Sequence, residues 1–328
     1  MSEADLKRRI LAEVQDELAA IEDALEANLT PHVGLVRAIA GHLLFAGGKR
    51  LRPLLMVLCA RLCGYRGTYD IPFSTIFEYL HVATLLHDDV IDGGTVRRGR
   101  PAAHRIWNPP AVVLTGDFLL ARALSIATRT GRVRILEVVA KVTEEMAQGE
   151  ILQLQRKGKP DLTREEYLRI IRCKTAVLFE GACRVSAILA DAPGEAEAAL
   201  ADYGHCTGLA FQMADDLLDY TEDGAALGKV PGADLREGKL TLPVIHALEQ
   251  APEADRRAMV EIITQDDFSA ESFAALLNLL ERNDGIGYTR RQAAAQVGKA
   301  KEALAFFPDS NVRGILMDIA DYTLMRRS

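Results

Sequence analysis

The sequence lacks the features that mark membrane-spanning, secreted or nucleic-acid-binding proteins. Among its 328 residues, no run approaches the ~20 consecutive apolar residues of a membrane-spanning helix, so no transmembrane segment is expected. The first residues, MSEADLKRR, contain no apolar core of a signal peptide, which leads us to expect a cytoplasmic protein. Positive charge is not in excess either. The net charge of −7 argues against nucleic acid or an anionic membrane surface as the main partner.

Cysteine is scarce and is not arranged in a CxxC motif. The chain has five cysteines, an odd number, at Cys59, Cys63, Cys173, Cys183 and Cys206. Cys59 and Cys63 would share one helix face and could in principle bind a metal ion. The simpler interpretation is that the cysteines are small buried thiols in a reducing compartment.

The two-residue alternation of a half-buried β-strand is also missing, and apolar residues recur at helical spacing in nearly every segment. There is no internal repeat and no low-complexity linker, and 49% of the residues are hydrophobic. The sequence therefore predicts an all-α, single-domain helical bundle over residues 1–328. We predict helices over 6–29, 31–45, 49–63, 71–92, 111–128, 133–154, 163–190 and 196–219, with four shorter helices after Val244.

Two aspartate triplets occur on predicted apolar helices. Residues 85–98 read LLHDDVIDGGTVRR and residues 211–219 read FQMADDLLD. In each triplet the first and last aspartates share a helix face, and the middle one lies about 100° round the helix. A single triplet is usually a solvated acidic helix end. Two triplets whose carboxylates repel one another favour a divalent-cation site formed by Asp88, Asp92, Asp215 and Asp219.

Positively charged residues lie before and after these triplets. GGKRLRP at 47–53 combines flexible glycines with Lys49, Arg50 and Arg52, which we expect to point at one place. Such a loop before a helix N-terminus suits phosphate, although an ordinary basic turn has the same composition. The glycine-rich loop at 228–243, GKVPGADLREGKLTLP, carries Lys229 and Lys239 and is too long for a simple connector.

These residue types suit the chemistry of diphosphates. Mg²⁺ prefers oxygen ligands and typically binds one or two carboxylates together with substrate phosphates and water. The cations outnumber what one diphosphate requires, so we expect two diphosphate substrates. The helix faces between the triplets are apolar, so the remainder of each substrate should be hydrocarbon. The residues thus predict metal-assisted departure of diphosphate from a lipid-like substrate.

The chain resembles the trans-type polyprenyl diphosphate synthases, in particular their octaprenyl-like long-chain branch. The motifs that carry this resemblance occur in family order over most of the chain: GGKRLRP, LLHDDVIDGGTVRRGRPAAH, GDFLLARA, KTA, FQMADDLLD and GKxxGxDLxEGKxTLP. The resemblance implies an isoprenoid-synthase fold around a deep central cavity, usually in a homodimer. It also implies Mg²⁺, expected as three ions per active site, and the substrates isopentenyl diphosphate and an allylic diphosphate primer.

The same resemblance assigns roles to individual residues. Those implied for isopentenyl diphosphate are Lys49, Arg52, His81 and Arg98. Those implied for the allylic diphosphate are Arg97, Lys174, Thr175, Gln212, Lys229 and Lys239. Those implied for metal are Asp88, Asp92, Asp215 and Asp219, with Asp89 and Asp216 turned away from the ions. The implied catalytic residues are Lys174, Thr175 and Gln212, of which the last two direct oxygen dipoles towards the allylic cation.

The implied reaction is ionisation, condensation and elimination. No side-chain base is evident, so the released diphosphate is expected to remove the proton, while a dry cavity protects the cation from water. A class I terpene cyclase would share the fold but normally lacks GGKRLRP and an intact second triplet, which also disfavours a head-to-head synthase. A non-catalytic partner subunit would be expected to have lost aspartates, and an acidic ion buffer would not need the clustered cations.

The helix that precedes Asp88 predicts the product length. A growing tail would first pass Thr84 and Ala83, both small at a point where short-chain members of the family tend to carry an aromatic residue. Phe77 lies about 16 Å below Asp88 at ~1.5 Å per residue, and a floor there would stop growth after about four isoprene units. A tail that passes Phe77 could reach about seven or eight units. We expect a long-chain all-trans product of about C40 (C35–C45), with C20, a geranylgeranyl diphosphate, as the alternative.

Overall fold

The computed structural model describes residues 3–220, 232–265 and 269–325, and this part of the chain is almost entirely helical. The longer helices follow the amphipathic spacing of the sequence, because each places its apolar stripe in the core. In chain order the helices are α1 (Glu3–Asn28), α2 (Gly34–Leu44), α3 (Leu51–Leu62), α4 (Asp70–Asp92), α5 (Ala103–Ile106), α6 (Pro109–Ala127), α7 (Val133–Arg156), α8 (Arg164–Ile171), α9 (Val177–Leu189), α10 (Gly194–Leu218), α11 (Ala233–Arg236), α12 (Leu242–Gln250), α13 (Glu253–Ile263), α14 (Ala270–Arg282), α15 (Gly285–Leu304) and α16 (Asn311–Met325). The predicted all-α fold is confirmed.

The structure corrects two of the predicted helix boundaries. The helix predicted over 163–190 is divided into α8 and α9 by a π-helical turn, Arg172–Ala176. Four helices of the described residues, α13 to α16, begin after Val244, but α12 (Leu242–Gln250) already spans that residue, so the prediction of four helices from Val244 onwards is one too few. Asp284, with a φ of 56°, separates α14 from α15 at a point where the apolar spacing continues through the turn.

A short β-hairpin follows the first aspartate triplet. Its strands, β1 (Val96–Arg97) and β2 (Arg100–Pro101), are antiparallel, with Val96 opposite Pro101 and Arg97 opposite Arg100. The two turn residues, Arg98 and Gly99, have φ values of 53° and 71°. Positive φ at both central positions is the geometry that a tight two-residue hairpin requires. Strands of two residues are too short to produce a recognisable alternation in the sequence.

The triplet-bearing helices α4 and α10 lie at the centre of the fold. Helix α4 packs against α1, α3 and α6, whereas α10 packs against α9, α15 and the π-helical turn. The main core joins the first half of the chain to α9, α10 and α16, and a second apolar cluster joins α8 to α12–α15. This arrangement holds the C-terminal ends of α4 and α10 in place for the site described below.

One helix of the described residues, Pro109–Thr130, is long and apolar enough to cross a membrane by length and composition alone, with a mean hydropathy of 1.5. Core helices of soluble proteins meet the same criterion. Asp117 and Arg122 interrupt this segment, and the Arg122 guanidinium donates a hydrogen bond to the Asn28 carbonyl at 2.7 Å. Only 39% of an 18-residue window within this segment is buried, so part of its apolar surface faces outwards.

Candidate active site

A cavity of about 610 Å³ opens between α3, α4, α6, α7, α10 and the π-helical turn. Eight of the residues predicted from the sequence line it, namely Arg52, His81, Thr84, Asp88, Lys174, Thr175, Gln212 and Asp215. The rest of the wall is mainly apolar and includes Leu85, Leu120, Met146, Ala147 and Phe211. Segments more than 120 residues apart therefore meet around one cavity. Acidic and basic side chains line one end of this cavity, and apolar side chains line the remainder.

The carboxylates of the first triplet have three different environments. Burial, with Glu150 and Asp92 nearby, raises the pKa of Asp88 to about 6, although Lys174 and Lys239 lower it. Asp89 is buried and accepts a hydrogen bond from Arg97 Nε at 2.8 Å, and Arg97 Nη2 forms an ion pair with the same carboxylate oxygen at 2.6 Å. The middle aspartate is thus directed away from the cavity, as the helix geometry predicts.

Two lysines surround the third carboxylate of this triplet. Asp92 accepts a hydrogen bond from Lys157 Nζ at 2.9 Å and one from Lys239 Nζ at 3.0 Å. Desolvation alone would raise the pKa of Asp92, but these two ammonium groups lower it. A hydrogen bond of 2.8 Å from Gly158 N to Gly238 O ties the end of α7 to the loop after α11. The two lysines and Asp92 therefore join three segments at the cavity mouth.

Within the described residues, Asp216 and Asp219 of the second triplet accept hydrogen bonds from uncharged donors. Asp216 accepts a hydrogen bond from the Tyr167 hydroxyl at 2.6 Å and one from Gln212 Nε2 at 2.8 Å. Burial raises the pKa of Asp216 to about 7, although these two hydrogen bonds lower it. Asp219 accepts hydrogen bonds from the backbone N–H groups of Ala233 and Asp234, at 2.9 and 3.0 Å, at the start of α11.

A fourth carboxylate, that of Asp234, adjoins the second triplet. Burial, followed by the negative charges of Asp216, Asp219 and Asp215, raises the pKa of Asp234 well above its usual value. The positive charge of Lys239 opposes this rise. The second triplet thus belongs to a cluster of carboxylates in which neighbouring negative charges help to raise the pKa values of Asp216 and Asp234.

Lys174 and Thr175 lie in the π-helical turn, a rare conformation that often occurs at functional sites. A Cβ atom added at Gly149 of α7 would lie 2.7 Å from Cys173 Cβ, and one added at Gly208 of α10 would lie 2.6 Å from Ala176 Cα. The glycines therefore allow α7 and α10 to approach the turn from two sides. Lys174 forms an ion pair with Glu150 of α7.

The GGKRLRP loop differs from its prediction. Arg50 is 3% exposed and forms ion pairs with Glu22 and Glu78, both at 2.6 Å, so it does not point with Lys49 and Arg52 at one place. A buried guanidinium needs carboxylate partners to compensate for its desolvation, and α1 and α4 supply them. Arg50 is thus a structural residue that joins the loop to both helices.

The other residues predicted for isopentenyl diphosphate lie at two locations. Arg52 and His81 line the cavity, whereas Lys49 lines a separate groove of about 300 Å³ against α1 and α16. Burial and the charge of Arg52, followed by that of Arg98, lower the pKa of His81 well below its usual value, so its imidazole is neutral. Arg98 donates hydrogen bonds to the carbonyls of Leu43 and Gly47 at 3.0 and 2.6 Å and so holds the glycine loop.

Several remaining predicted residues lie outside the cavity wall. Arg97 is bonded to Asp89, and Lys239 to Asp92 and Glu237. Of the residues predicted to control chain length, Thr84 lines the cavity, whereas Ala83 and Phe77 are fully buried and do not line it. The prediction for Lys229 lies outside the described residues.

The donor set fits a divalent cation that is shared with substrate. Among residues 3–220, 232–265 and 269–325, no three histidine, cysteine, aspartate or glutamate side chains converge as a complete metal site. Asp88 and Asp215 nevertheless line the same cavity. Burial and the nearby Glu150 disfavour the ionised form of Asp88 and raise its pKa. Mg²⁺ commonly takes one or two protein carboxylates and completes its shell with phosphate oxygens and water. The residues present match that requirement.

Sequence reasoning overlooked four residues that contact this site. They are Glu150, Lys157, Tyr167 and Asp234. Asp234 could have been noticed as the aspartate of the quoted motif GxDLxEGK, and Lys157 as part of the basic stretch RKGK. Tyr167 carries no local signal, because its role depends on a partner 49 positions away.

Comparison with known proteins shows extensive similarity. A family model described as "Polyprenyl synthetase" matches residues 33–280. The octaprenyl diphosphate synthase of Escherichia coli (strain K12) is 38% identical over 310 residues, 94% of this chain and 96% of that protein. The all-trans-nonaprenyl-diphosphate synthase (geranyl-diphosphate specific) of Rhodobacter capsulatus is 38% identical over 323 residues, 98% of each protein.

Solved structures show the same similarity. A polyprenyl synthase from Caulobacter crescentus CB15, complexed with calcium and isoprenyl diphosphate, has a TM-score of 0.91 at 38% identity, covering 98% of both chains. A geranylgeranyl pyrophosphate synthetase from Pyrococcus horikoshii Ot3 also has a TM-score of 0.91, at 31% identity and 98% and 99% coverage. Relatives named for products of different length thus share this fold over nearly their whole length.

Proposed function

Because the chain belongs to the polyprenyl synthetase family, we propose that it is a trans-prenyltransferase that adds isopentenyl diphosphate to an allylic diphosphate. The observation that supports this proposal is the single cavity in which Asp88 and Asp215 face both cations and an apolar wall. A protein that only bound divalent ions would not need the hydrocarbon-like part of that wall.

The two diphosphates would bind at different groups of residues. Arg52 and neutral His81, which can donate one N–H, would hold the diphosphate of isopentenyl diphosphate, with Lys49 and Arg98 on the adjoining loops. Lys174, Lys239 and Lys157 would hold the allylic diphosphate beside the first triplet. Arg97, fixed by Asp89, would add positive charge at the same end.

Divalent metal, which we propose to be three Mg²⁺ ions held by Asp88, Asp92, Asp215 and Asp219, would neutralise the allylic diphosphate and make it a better leaving group. The chain's own contribution is to orient the substrates and keep water away. Leu85, Met146 and Phe211 line the cavity next to the polar end and exclude water from the reacting carbon. Thr175 and Gln212 place oxygen atoms on the same wall.

Product analysis tests the proposed reaction. Purified protein is incubated with radiolabelled isopentenyl diphosphate, an allylic diphosphate primer and Mg²⁺, and the dephosphorylated products are separated by reverse-phase chromatography. We expect labelled polyprenols. A labelled product that forms only after a second subunit is added would instead indicate a non-catalytic partner. A hydrocarbon released from the primer without isopentenyl diphosphate would indicate a terpene cyclase.

We propose a long-chain product of about C40, supported by the small residues below Asp88. Thr84 lines the cavity, and Ala147 and Thr143 face the same space from α7. The shared fold cannot decide the length, because the Pyrococcus horikoshii enzyme named for geranylgeranyl pyrophosphate has the same TM-score as the polyprenyl synthase from Caulobacter crescentus. A sole C15 or C20 product from the wild-type protein would refute the long-chain proposal.

Residue 84 is the position at which chain length should change most. Thr84→Phe should shorten the main product, because its ring would occupy the cavity, and chromatography of the dephosphorylated polyprenols measures the shift. Ala83→Phe is the comparison variant, since residue 83 is buried behind the wall and its ring must first displace other side chains. Unchanged chain length in Thr84→Phe would show that the tail does not pass this position.

Two substitutions separate the proposed diphosphate sites. Arg52→Ala should mainly raise the KM for isopentenyl diphosphate, because Arg52 and His81 line the same cavity. The Arg52 guanidinium lies over the Phe179 ring, with its central carbon 4.8 Å from the ring centroid. Lys239→Ala should mainly raise the KM for the allylic primer, because Lys239 contacts Asp92. Steady-state titration of each substrate measures both effects. An equal loss for both substrates in Arg52→Ala contradicts the division.

We further propose that the chain forms a homodimer through the exposed face of α6. Leu114 is 65% exposed on α6, and the neighbouring Val113 is 36% exposed. A second copy would remove this apolar surface from water, which favours association. Analytical ultracentrifugation of wild type and Leu114→Arg tests the proposal, and a wild-type monomer at micromolar concentration would contradict it.

A further inference from the structure

Four side chains form a continuous hydrogen-bonded network from the second apolar cluster to the cavity. Tyr167 Oη donates to Asp216 Oδ2 at 2.6 Å, and Gln212 Nε2 donates to Asp216 Oδ1 at 2.8 Å. Thr175 Oγ1 then donates to Gln212 Oε1 at 2.7 Å. Tyr167 and Asp216 are only 2% and 3% exposed, whereas Gln212 and Thr175 line the cavity. The network thus has a buried end and an end at the reaction site.

The carboxylate determines the direction of every hydrogen bond in this network. The Tyr167 hydroxyl donates to one oxygen of Asp216 and Gln212 Nε2 donates to the other, so Gln212 presents its NH₂ group to Asp216 and its carbonyl oxygen to Thr175. Thr175 has one hydroxyl proton, and it is donated to that carbonyl oxygen. Its lone pairs are therefore left for the cavity. The reverse orientation of Gln212 would place its carbonyl oxygen against the carboxylate and turn an N–H towards Thr175.

We propose that Asp216 and Tyr167 are positioning residues that fix the polarity of Gln212 and Thr175, so that oxygen lone pairs face the electron-poor carbon of the allylic substrate. The inference rests on the proposed prenyl transfer and gives a role to Asp216, the aspartate beside Asp215 that is directed away from the metal face. Oxygen dipoles held in advance stabilise a developing positive charge without having to reorient during the reaction.

The surrounding backbone supports this role because it leaves the network little freedom. Its members come from three elements: Tyr167 from α8, Thr175 from the π-helical turn, and Gln212 and Asp216 from α10. Gly208 allows α10 to approach the turn so closely that an added Cβ would lie 2.6 Å from Ala176 Cα. Thr175 and Gln212 therefore meet across a close backbone contact rather than across a mobile loop.

Tyr167→Phe tests the proposal, with Tyr203→Phe as the matched control. Tyr203 is also fully buried on α10, and its hydroxyl donates to the Leu316 carbonyl at 2.8 Å, away from the cavity. Both changes remove one buried hydroxyl, so both should lower the melting temperature. We expect only Tyr167→Phe to lower kcat, by about tenfold, with the KM for isopentenyl diphosphate unchanged.

A fluorinated primer distinguishes positioning from a merely structural role. Fluorine on the allylic double bond withdraws electrons and slows formation of the cation. The ratio of rates for the unsubstituted and fluorinated primers should be larger for Tyr167→Phe than for wild type, because the variant stabilises the cation less. A ratio equal to that of wild type and Tyr203→Phe, or a wild-type kcat in Tyr167→Phe, overturns the proposal.

Asp216→Asn is the second variant, because an asparagine amide can donate to Gln212 and so permits the reversed orientation. We expect a loss in kcat of about a hundredfold and a further increase in the fluorine ratio, at an unchanged Mg²⁺ concentration for half-maximal rate. A weaker Mg²⁺ response with an unchanged fluorine ratio would assign Asp216 to metal binding and refute the inference. Failure of the wild-type protein to form labelled polyprenols would instead refute the proposed function.

Discussion

The two aspartate triplets have the same spacing but are neutralised in different ways. Around the first, cations approach the carboxylates directly: Arg97 binds Asp89, and Lys157 and Lys239 bind Asp92. Around the second, the donors that the described residues direct at Asp216 and Asp219 are a phenol, an amide and two backbone N–H groups. Identical motifs therefore serve different electrostatic purposes within one site.

The two triplets therefore differ in how far the chain itself compensates the negative charge of their carboxylates. Lysines can stand in for a metal ion at the first triplet, so its third carboxylate is already stabilised by the chain. The second triplet lies beside Asp234, and burial, followed by repulsion from neighbouring carboxylates, raises the pKa values of both Asp216 and Asp234. A cation bound beside Asp216 and Asp234 would favour the ionised forms of both carboxylates and so lower these raised pKa values.

The largest effect should follow removal of the carboxylate that faces the cavity in each triplet. Asp88→Ala and Asp215→Ala should each lower kcat by at least about a hundredfold, or about 3 kcal/mol, because charge stabilisation at the leaving group is lost. Steady-state kinetics with saturating Mg²⁺ measure this effect. Asp309→Ala, a change at a fully exposed carboxylate, serves as the control. Near-normal turnover in either variant would contradict the assignment of that aspartate to metal binding. It would also show that the two triplets do not contribute equally to catalysis.

Substitutions behind the cavity should affect stability with opposite signs. Asp89→Asn breaks a buried contact with Arg97 and should lower the free energy of unfolding by about 2 kcal/mol, less than for a fully buried pair because Arg97 is partly exposed. Asp234→Asn removes a repelled carboxylate and should raise the free energy of unfolding by about 1 kcal/mol. Denaturant titration of the protein in chelator measures both changes. Changes of the same sign would show that the triplets do not differ in charge compensation.

The smallest effect concerns pH. The folded-state pKa of Asp88 is about 6, above its usual 3.8, so the native state holds this proton more tightly than the unfolded state. The resulting stabilisation is fully present below pH 3.8 and is lost as pH rises through 6. In chelator, Asp88→Asn should therefore match wild type near pH 4 and exceed it above pH 6 by on the order of 1 kcal/mol.

Melting temperatures across this pH range give the measurement, and added Mg²⁺ should reduce the advantage of Asp88→Asn. An advantage that is independent of pH would mean that the carboxylate is not destabilised in the metal-free protein. The same titration of Asp216→Asn should show its transition about one pH unit higher, since the pKa of Asp216 is raised to about 7.

The amino-acid sequence determined the helices and the face on which each carboxylate lies. Both properties follow from spacing along one chain segment, because residues four apart share a helix face whatever surrounds them. Asp88 and Asp215 could be expected at a common site for that reason, and Asp89 and Asp216 could be expected to point elsewhere. The family motifs added roles for Arg52, His81, Lys174, Thr175 and Gln212, all of which line the cavity.

Tertiary structure alone decided which partner each charged or polar group found. Arg50 turned inwards because Glu22 and Glu78 reach it from two other helices. The π-helical turn formed where α7 and α10 meet α8 and α9, and no periodicity of residues 163–190 indicates it. The direction of the hydrogen bonds at Thr175 depends on Asp216, 41 positions away. Such contacts depend on how separate elements pack, and no spacing within one element encodes that.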